Sequence, residues 1–174
     1  MRYILPLLIA ALASALPAQP ATGATESGTV GATISVPVQI AAIEPLNFGF
    51  ILPGTAAGRV DINPNNGART TSGGVQGVGG PFRPAQFVGY GSPGDIVVTF
   101  PSNFPTLTRV GGTETMQVTR LTADSTWFAF FNSAVKFVPA SGMVTLNVGG
   151  RLEVPANPVP GNYVGTYNVT MNYF

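Results

Sequence analysis

From residue 144 to residue 154 every even position is apolar (Val144, Leu146, Val148, Leu152, Val154), with Gly150 in the single gap. A period of two is that of a β-strand with one buried face. Reading Gly149-Gly150 as a two-residue turn would set Val148 across from Arg151 and Leu146 across from Glu153, placing charge on the core face. One long strand that bends at the glycines is therefore expected. Pro155, Pro158 and Pro160-Gly161 then end it and reverse the chain. The stretch that follows alternates in the other parity, with Tyr163, Gly165, Tyr167, Val169, Met171 and Tyr173 on one side and Thr166, Asn168, Thr170 and Asn172 on the other. The two stretches together predict a long hairpin over residues 142–174. In it Val154 faces Tyr163, and Gly150 faces Tyr167, whose ring covers the bare glycine backbone.

The same punctuation recurs along the chain. Residues 32–42 alternate, with Ile34, Val36, Val38 and Ile40 opposite Thr33, Ser35, Pro37 and Gln39, and Pro37 assigns this strand to an edge. Leu46, Phe48 and Phe50 keep the even parity up to a turn at Pro53-Gly54, and residues 58–62 read as a short strand. Residues 63–84 are expected to be the least structured part, centred on SGGVQGVGGP at 72–81. Those glycines lack a following GK[ST] and a helix pattern, so they read as a mobile loop rather than a phosphate cradle. Residues 85–91 and 95–100 are strands around Ser92-Pro93-Gly94, and residues 114–121 carry Met116 and Val118 on one face. No stretch past residue 16 has helical spacing. Short strands between Gly, Pro and Asn clusters predict an all-β fold, an antiparallel β-sandwich of two sheets.

Met1-Arg2-Tyr3 followed by an apolar run over 4–16, too short to span a bilayer comfortably, predicts a secretory signal peptide. The expected division is a leader over 1–18 cleaved after Ala15 or Ala18, a flexible lead-in over 19–31, and one domain over 32–174. No second apolar run reaches spanning length, so no integral membrane segment is expected, and the product is secreted, periplasmic or on the cell surface. Charged residues are 9% of the chain against about 25% in ordinary domains. Of the eight basic side chains, Arg2 leaves with the leader, so seven face seven acidic ones. Such a balance offers nucleic acid or anionic lipid no attraction and a second copy of the chain no repulsion.

Cysteine and histidine are both absent. Disulfides, Ser-His-Asp and Cys-His nucleophiles and nearly all zinc sites are thereby excluded. Asp61, Asp95 and Asp124 lack the spacing of a calcium loop. The only acid/base candidates are isolated carboxylates and Lys136, so neither a catalytic nor a metal site is assigned and no cofactor is expected. Asn168-Val169-Thr170 matches a glycosylation triplet but is explained by the polar face of the last strand. The segment TWFAFF places Trp127 and Phe131 on one side of a strand and Phe128 and Phe130 on the other. Burial in the core is the ordinary fate of such rings; the functional reading is an exposed patch for glycan stacking or a partner subunit.

LNFG at 46–49, the strand around Gly58, the turn at Ser92-Pro93-Gly94, TMQV at 115–118 and above all NVGGRLEVPANPVPGNYVGTYNVTMNY at 147–173 resemble the bacterial family catalogued as domain of unknown function 4402. The resemblance spans nearly all of the chain past the leader and implies no catalytic residues. The carboxyl-terminal half is also similar to spore coat U and pilin-like secreted domains, which implies an immunoglobulin-like sandwich and a surface or fibre location. Gly161-Asn162-Tyr163-Val164-Gly165 resembles the tyrosine corner of such sandwiches, with Gly165 where antibody domains carry a cysteine. The expectation is a non-catalytic extracytoplasmic structural protein, a surface fibre or coat subunit whose partners are itself or other subunits. The alternative is a secreted glycan-binding module using its aromatics. Assembly by a donated strand would need an alternating segment near the amino terminus. Residues 19–31 have few apolar positions, so the test is whether 32–42 pairs within its own domain or leaves a groove open.

Overall fold

The computed structural model describes residues 26–124, 127–129 and 133–174, and among these every regular element is a strand. In chain order they are β1 (Gln39–Glu44), β2 (Phe50–Ile62), β3 (Arg69–Gly79), β4 (Ala85–Tyr90), β5 (Gly94–Thr99), β6 (Thr106–Arg109), β7 (Thr115–Ala123), β8 (Trp127–Ala129), β9 (Ser133–Val138), β10 (Met143–Val154), β11 (Tyr163–Val164) and β12 (Thr170–Tyr173). The larger sheet has the order β1-β4-β10-β7-β6-β11, with β2 added beside β10 and β3 beside β2; the smaller has the order β12-β5-β9-β8. All pairings are antiparallel. The sheets form a sandwich around one apolar cluster, to which Val60, Val118, Leu146 and Val148 come from the larger sheet and Ile96, Val98, Val138 and Met171 from the smaller.

β10 is the single long strand its alternation predicts: Val144, Leu146, Val148, Leu152 and Val154 are buried while Met143 and Thr145 are exposed. It is also the most heavily paired strand. One edge carries β4 along 143–148 and then β2 along 150–154, and the other carries β7 along 148–153. The expected hairpin with the carboxyl-terminal stretch is therefore overturned, because both edges of β10 are occupied. Val154 faces Gly58, and Gly150 lies between Ile62 and Leu121, its bare backbone approached by Leu46 and Leu121 rather than by Tyr167. The prolines of 155–160 instead carry the chain to the far edge of the sheet, where Tyr163 pairs with Arg109; it then crosses to the smaller sheet, where β12 pairs with β5. The parity survives this change of neighbours. Met171 is buried and Tyr163, Tyr167, Val169 and Tyr173 are half-buried, while Val164, Thr166, Asn168, Thr170 and Asn172 are exposed. Alternation fixes which face is covered, not which strand lies alongside.

Residues 63–84 are not the loop expected of them. β3 runs through the glycine-rich stretch and forms a hairpin with β2, which is itself far longer than 58–62. Pro53 faces Val75 and Gly58 faces Gly73, so residues 54–57 bulge out opposite Gly74. A Cβ on Gly74 would overlap the carbonyl oxygen of Ala56: here glycine serves close approach of two backbones, and a strand made that way has no apolar alternation to reveal it. β1 starts at Gln39, not at residue 32, and among the described residues pairs with β4 alone, which is the edge position Pro37 implies. In β7 the buried parity switches from Val118 to Leu121, because its register against β10 slips between the Val118–Leu152 and Arg120–Arg151 pairs.

Candidate functional site

Three neighbouring strands of the larger sheet, β6, β7 and β10, turn Leu107, Met116, Val118, Leu152 and Val154 into a cleft of about 910 Å³. Its other walls are residues 45–53, which lead into β2, and residues 158–167, which lead through β11 toward β12. Six of the lining residues are prolines: Pro45, Pro53, Pro81, Pro105, Pro158 and Pro160. Proline donates no backbone hydrogen bond, so segments rich in it border the space without zipping it shut. Among the described residues no aspartate, glutamate, lysine or arginine lines the cleft. Its ionisable side chains are the phenols of Tyr163 and Tyr167.

Each wall is braced from behind. The Tyr163 hydroxyl donates to the carbonyl of Val159 at 2.7 Å, which is the tyrosine-corner bond the sequence resemblance implies. Opposite, Asn47 and Arg83 exchange backbone hydrogen bonds of 3.0 and 2.9 Å. Arg69 Nη1 reaches the carbonyls of Phe48, Phe50 and Gly79 at 3.1, 3.2 and 3.1 Å while its guanidinium lies 4.4 Å from the centre of the Phe82 ring. Next to β11, Arg109 donates to Glu114 at 2.6 and 3.2 Å. That hydrogen bond holds the Glu114 carboxyl below the usual carboxylate range.

Tyr167 sits where the cleft meets a second recess bounded by Ile40, Ala42, Phe87 and Val169. Its ring packs edge-on against Phe87 with centroids 6.3 Å apart. Its hydroxyl is buried and has no hydrogen-bond partner among the described residues, and burial pushes its pKa up to about 12. Along this side the backbone is also unspent. β12 pairs with β5 on one edge only, and residues 165–169 enter no ladder among the described residues. No charged residue follows Glu153, so this edge lacks the lysines that ordinarily blunt an open strand.

The aromatic candidates lie elsewhere. The backbone of β8 occupies the opposite edge of the smaller sheet, with Trp127 across from Val135 and Phe128 across from Ala134. The side chains of Trp127 and Phe128, and Phe130 and Phe131 altogether, fall outside the described residues. Of the three aspartates weighed for calcium, Asp61 accepts from Arg151 at 2.8 Å, Asp124 accepts from Lys136 and from the backbone and side chain of Asn147, each at 2.8 Å, and Asp95 lies exposed on β5. Among the described residues no three acidic side chains gather as a metal site, and no helix is long and apolar enough to cross a membrane. The cleft itself is the feature that residue-by-residue reading missed. Its signal in the sequence is the set of prolines flanking several strands at once.

Comparison with curated proteins and with solved structures gives no match. A family model does match, over residues 38–173, and the chain belongs to the family described as Domain of unknown function (DUF4402).

Proposed function

We propose that the protein is a non-catalytic extracytoplasmic structural subunit, part of a surface fibre or coat, and that its cleft accepts an extended strand from another molecule. The observation that carries this reading is the coincidence of an uncharged apolar cleft with a bordering stretch, residues 165–167, whose backbone enters no ladder among the described residues. An extended segment laid along residues 165–167 would place alternate side chains on Leu107, Met116 and Val118. Main-chain hydrogen bonds then supply affinity, and side-chain pockets supply specificity. An incoming backbone would also offer the Tyr167 hydroxyl the partner it lacks. The cleft's side chains favour binding over chemistry, since neither phenol is paired with a base and no carboxylate reaches the space.

The test is hydrogen exchange combined with sedimentation of the secreted chain across a wide concentration range. Assembly that slows exchange at the amides of 165–169 supports the reading. A chain that stays monomeric at high concentration, with those amides exchanging freely, overturns it.

A further inference from the structure

The geometry points to Lys136 and Asn147 as the two ends of an amide bond that the folded chain makes within itself, with Asp124 as the proton carrier. This site lies apart from the cleft and is independent of the strand-accepting reading. Lys136 is the only lysine in the chain, every other basic residue being an arginine. An amine can act as a nucleophile, whereas a guanidinium stays protonated. This lysine stands on β9 of the smaller sheet, its side chain only 16% exposed, and reaches across to β10 and the end of β7 in the larger one. There it donates to Asp124 Oδ1 at 2.8 Å and to the carbonyl of Thr145. Asn147 donates through Nδ2 to the other oxygen of the same carboxylate, Oδ2, also at 2.8 Å.

One carboxylate thus stands between an amine and the amide nitrogen that the amine would displace. Asp124 is fixed to the backbone of Asn147, accepting its N–H at 2.8 Å and donating to its carbonyl at 3.0 Å, which holds that arrangement in place. A carboxylate only accepts, so the amide NH2 of Asn147 turns toward Asp124 and its Oδ1 faces Gln86 on β4, whose Nε2 lies 3.4 Å away. That donor meets the oxygen on which charge develops as Cγ becomes tetrahedral. In the step, Asp124 takes one proton from the Lys136 ammonium, and Nζ forms a bond to Cγ of Asn147. The Cγ–Nδ2 bond breaks, and Asp124 gives its proton to the departing nitrogen. The second proton that Nζ sheds leaves with ammonia as ammonium, and Asp124 ends as it began. The atoms balance without a further reactant. The product is a covalent tie between the two sheets in a chain that has no cysteine.

Trypsin cuts after a free lysine, so the test is a digest of the purified folded chain read by mass spectrometry. One peptide spanning residues 121–151 is expected, lighter than its sequence by one ammonia, with fragment ions that assign the loss to a link between Lys136 and Asn147. In denaturant an amine-reactive reagent should label the α-amino group alone. Lys136→Arg keeps the ion pair and Asp124→Asn keeps the shape of the carrier; both are expected at full mass and cut after position 136. A parent chain that yields separate peptides 121–136 and 137–151 at full mass, or whose Lys136 takes the label, overturns the bond and leaves the strand-accepting reading untouched. An Asp124→Asn chain that still yields the light peptide overturns the part given to Asp124.

Discussion

The backbone N–H of Ser92 donates to the hydroxyl oxygen of Tyr173 at 2.6 Å, and that hydroxyl in turn donates to the carbonyl of Val36. One phenol thus ties together the start of the domain, the β4–β5 crossing between the sheets and the last strand. It is also the point from which the amino-terminal segment departs. Tyr173→Phe keeps the ring and removes both bonds, and a net hydrogen bond contributes about 1 kcal/mol. The variant is expected to be roughly 1–2 kcal/mol less stable in chemical denaturation, with faster exchange at the Ser92 amide. An unchanged midpoint with an unchanged Ser92 amide would mean that the hydroxyl holds neither segment.

Tyr173 also marks how far the sequence can be read. Its inward parity, with that of Met171 and Val169, is legible because burial on one face imposes a period of two. Its partner is not, since a strand of given parity fits equally well on any neighbour that offers a covered face. The long alternation of β10 hides the same ambiguity: its residues announce a strand, and nothing in them announces that β4, β2 and β7 will take both edges. β3 fails for the opposite reason, because Gly73 and Gly74 are there to let backbones approach, Gly77 leaves room for the Arg69 guanidinium, and none of them carries a pattern. The cleft was not legible: Pro53, Pro158 and Pro160 read only as turns, and its shape depends on which distant segments come to border it.

Gly149 and Gly150 are adjacent and both buried, yet their surroundings differ. A Cβ on Gly149 would overlap the carbonyl oxygen of Ile62 and press on Pro64, backbone and ring atoms that cannot step aside. A Cβ on Gly150 would meet Arg120 O at 3.0 Å and two movable leucine methyls, of Leu46 and Leu121, at 3.1 and 3.3 Å. Overpacking costs about 1–3 kcal/mol and more when nothing yields. Gly149→Ala is therefore expected to lose roughly 3 kcal/mol or fail to fold, and Gly150→Ala about 1 kcal/mol. Denaturant midpoints of the two purified variants check the order, and a Gly149→Ala protein as stable as Gly150→Ala would contradict the close contact with β2.

Arg69 links the cleft to the β2–β3 hairpin. Its Nη1 is shared among the carbonyls of Phe48, just before β2, Phe50, at its start, and Gly79, at the end of β3, and its flat guanidinium rests on Phe82. Hydrogen bonds from a charged donor contribute about 1.5–3 kcal/mol, and the ring contact about 0.5–1 kcal/mol. Arg69→Ala should cost roughly 2–3 kcal/mol. Arg69→Lys should recover less than half of that, because an ammonium cannot both stack and bridge. Since Phe48 and Phe50 border the cleft, the alanine variant is also expected to loosen that wall and weaken self-association. Thermal melts and sedimentation on the same samples separate the two effects.

Tyr167 gives the protein an alkaline limit. Burial raises the pKa of its hydroxyl from 10.0 to about 12, so between those values the unfolded chain releases a proton that the folded chain keeps. The unfolded state then binds fewer protons, and stability falls as pH rises. The contribution is whole below pH 10 and lost on the way to pH 12; two pKa units at about 1.4 kcal/mol each amount to about 2–3 kcal/mol. Tyr167→Phe removes this slope. It also removes a buried hydroxyl with no partner, a group whose desolvation costs about 1–3 kcal/mol, so the isolated variant should be about 1 kcal/mol more stable at pH 7. Urea unfolding at pH 7, 10 and 11.5 on parent and variant reads both effects. A variant that is less stable at pH 7, or one whose alkaline slope matches the parent's, would show that the hydroxyl is solvated or bonded in the free chain, and would withdraw it as a group waiting for an incoming strand.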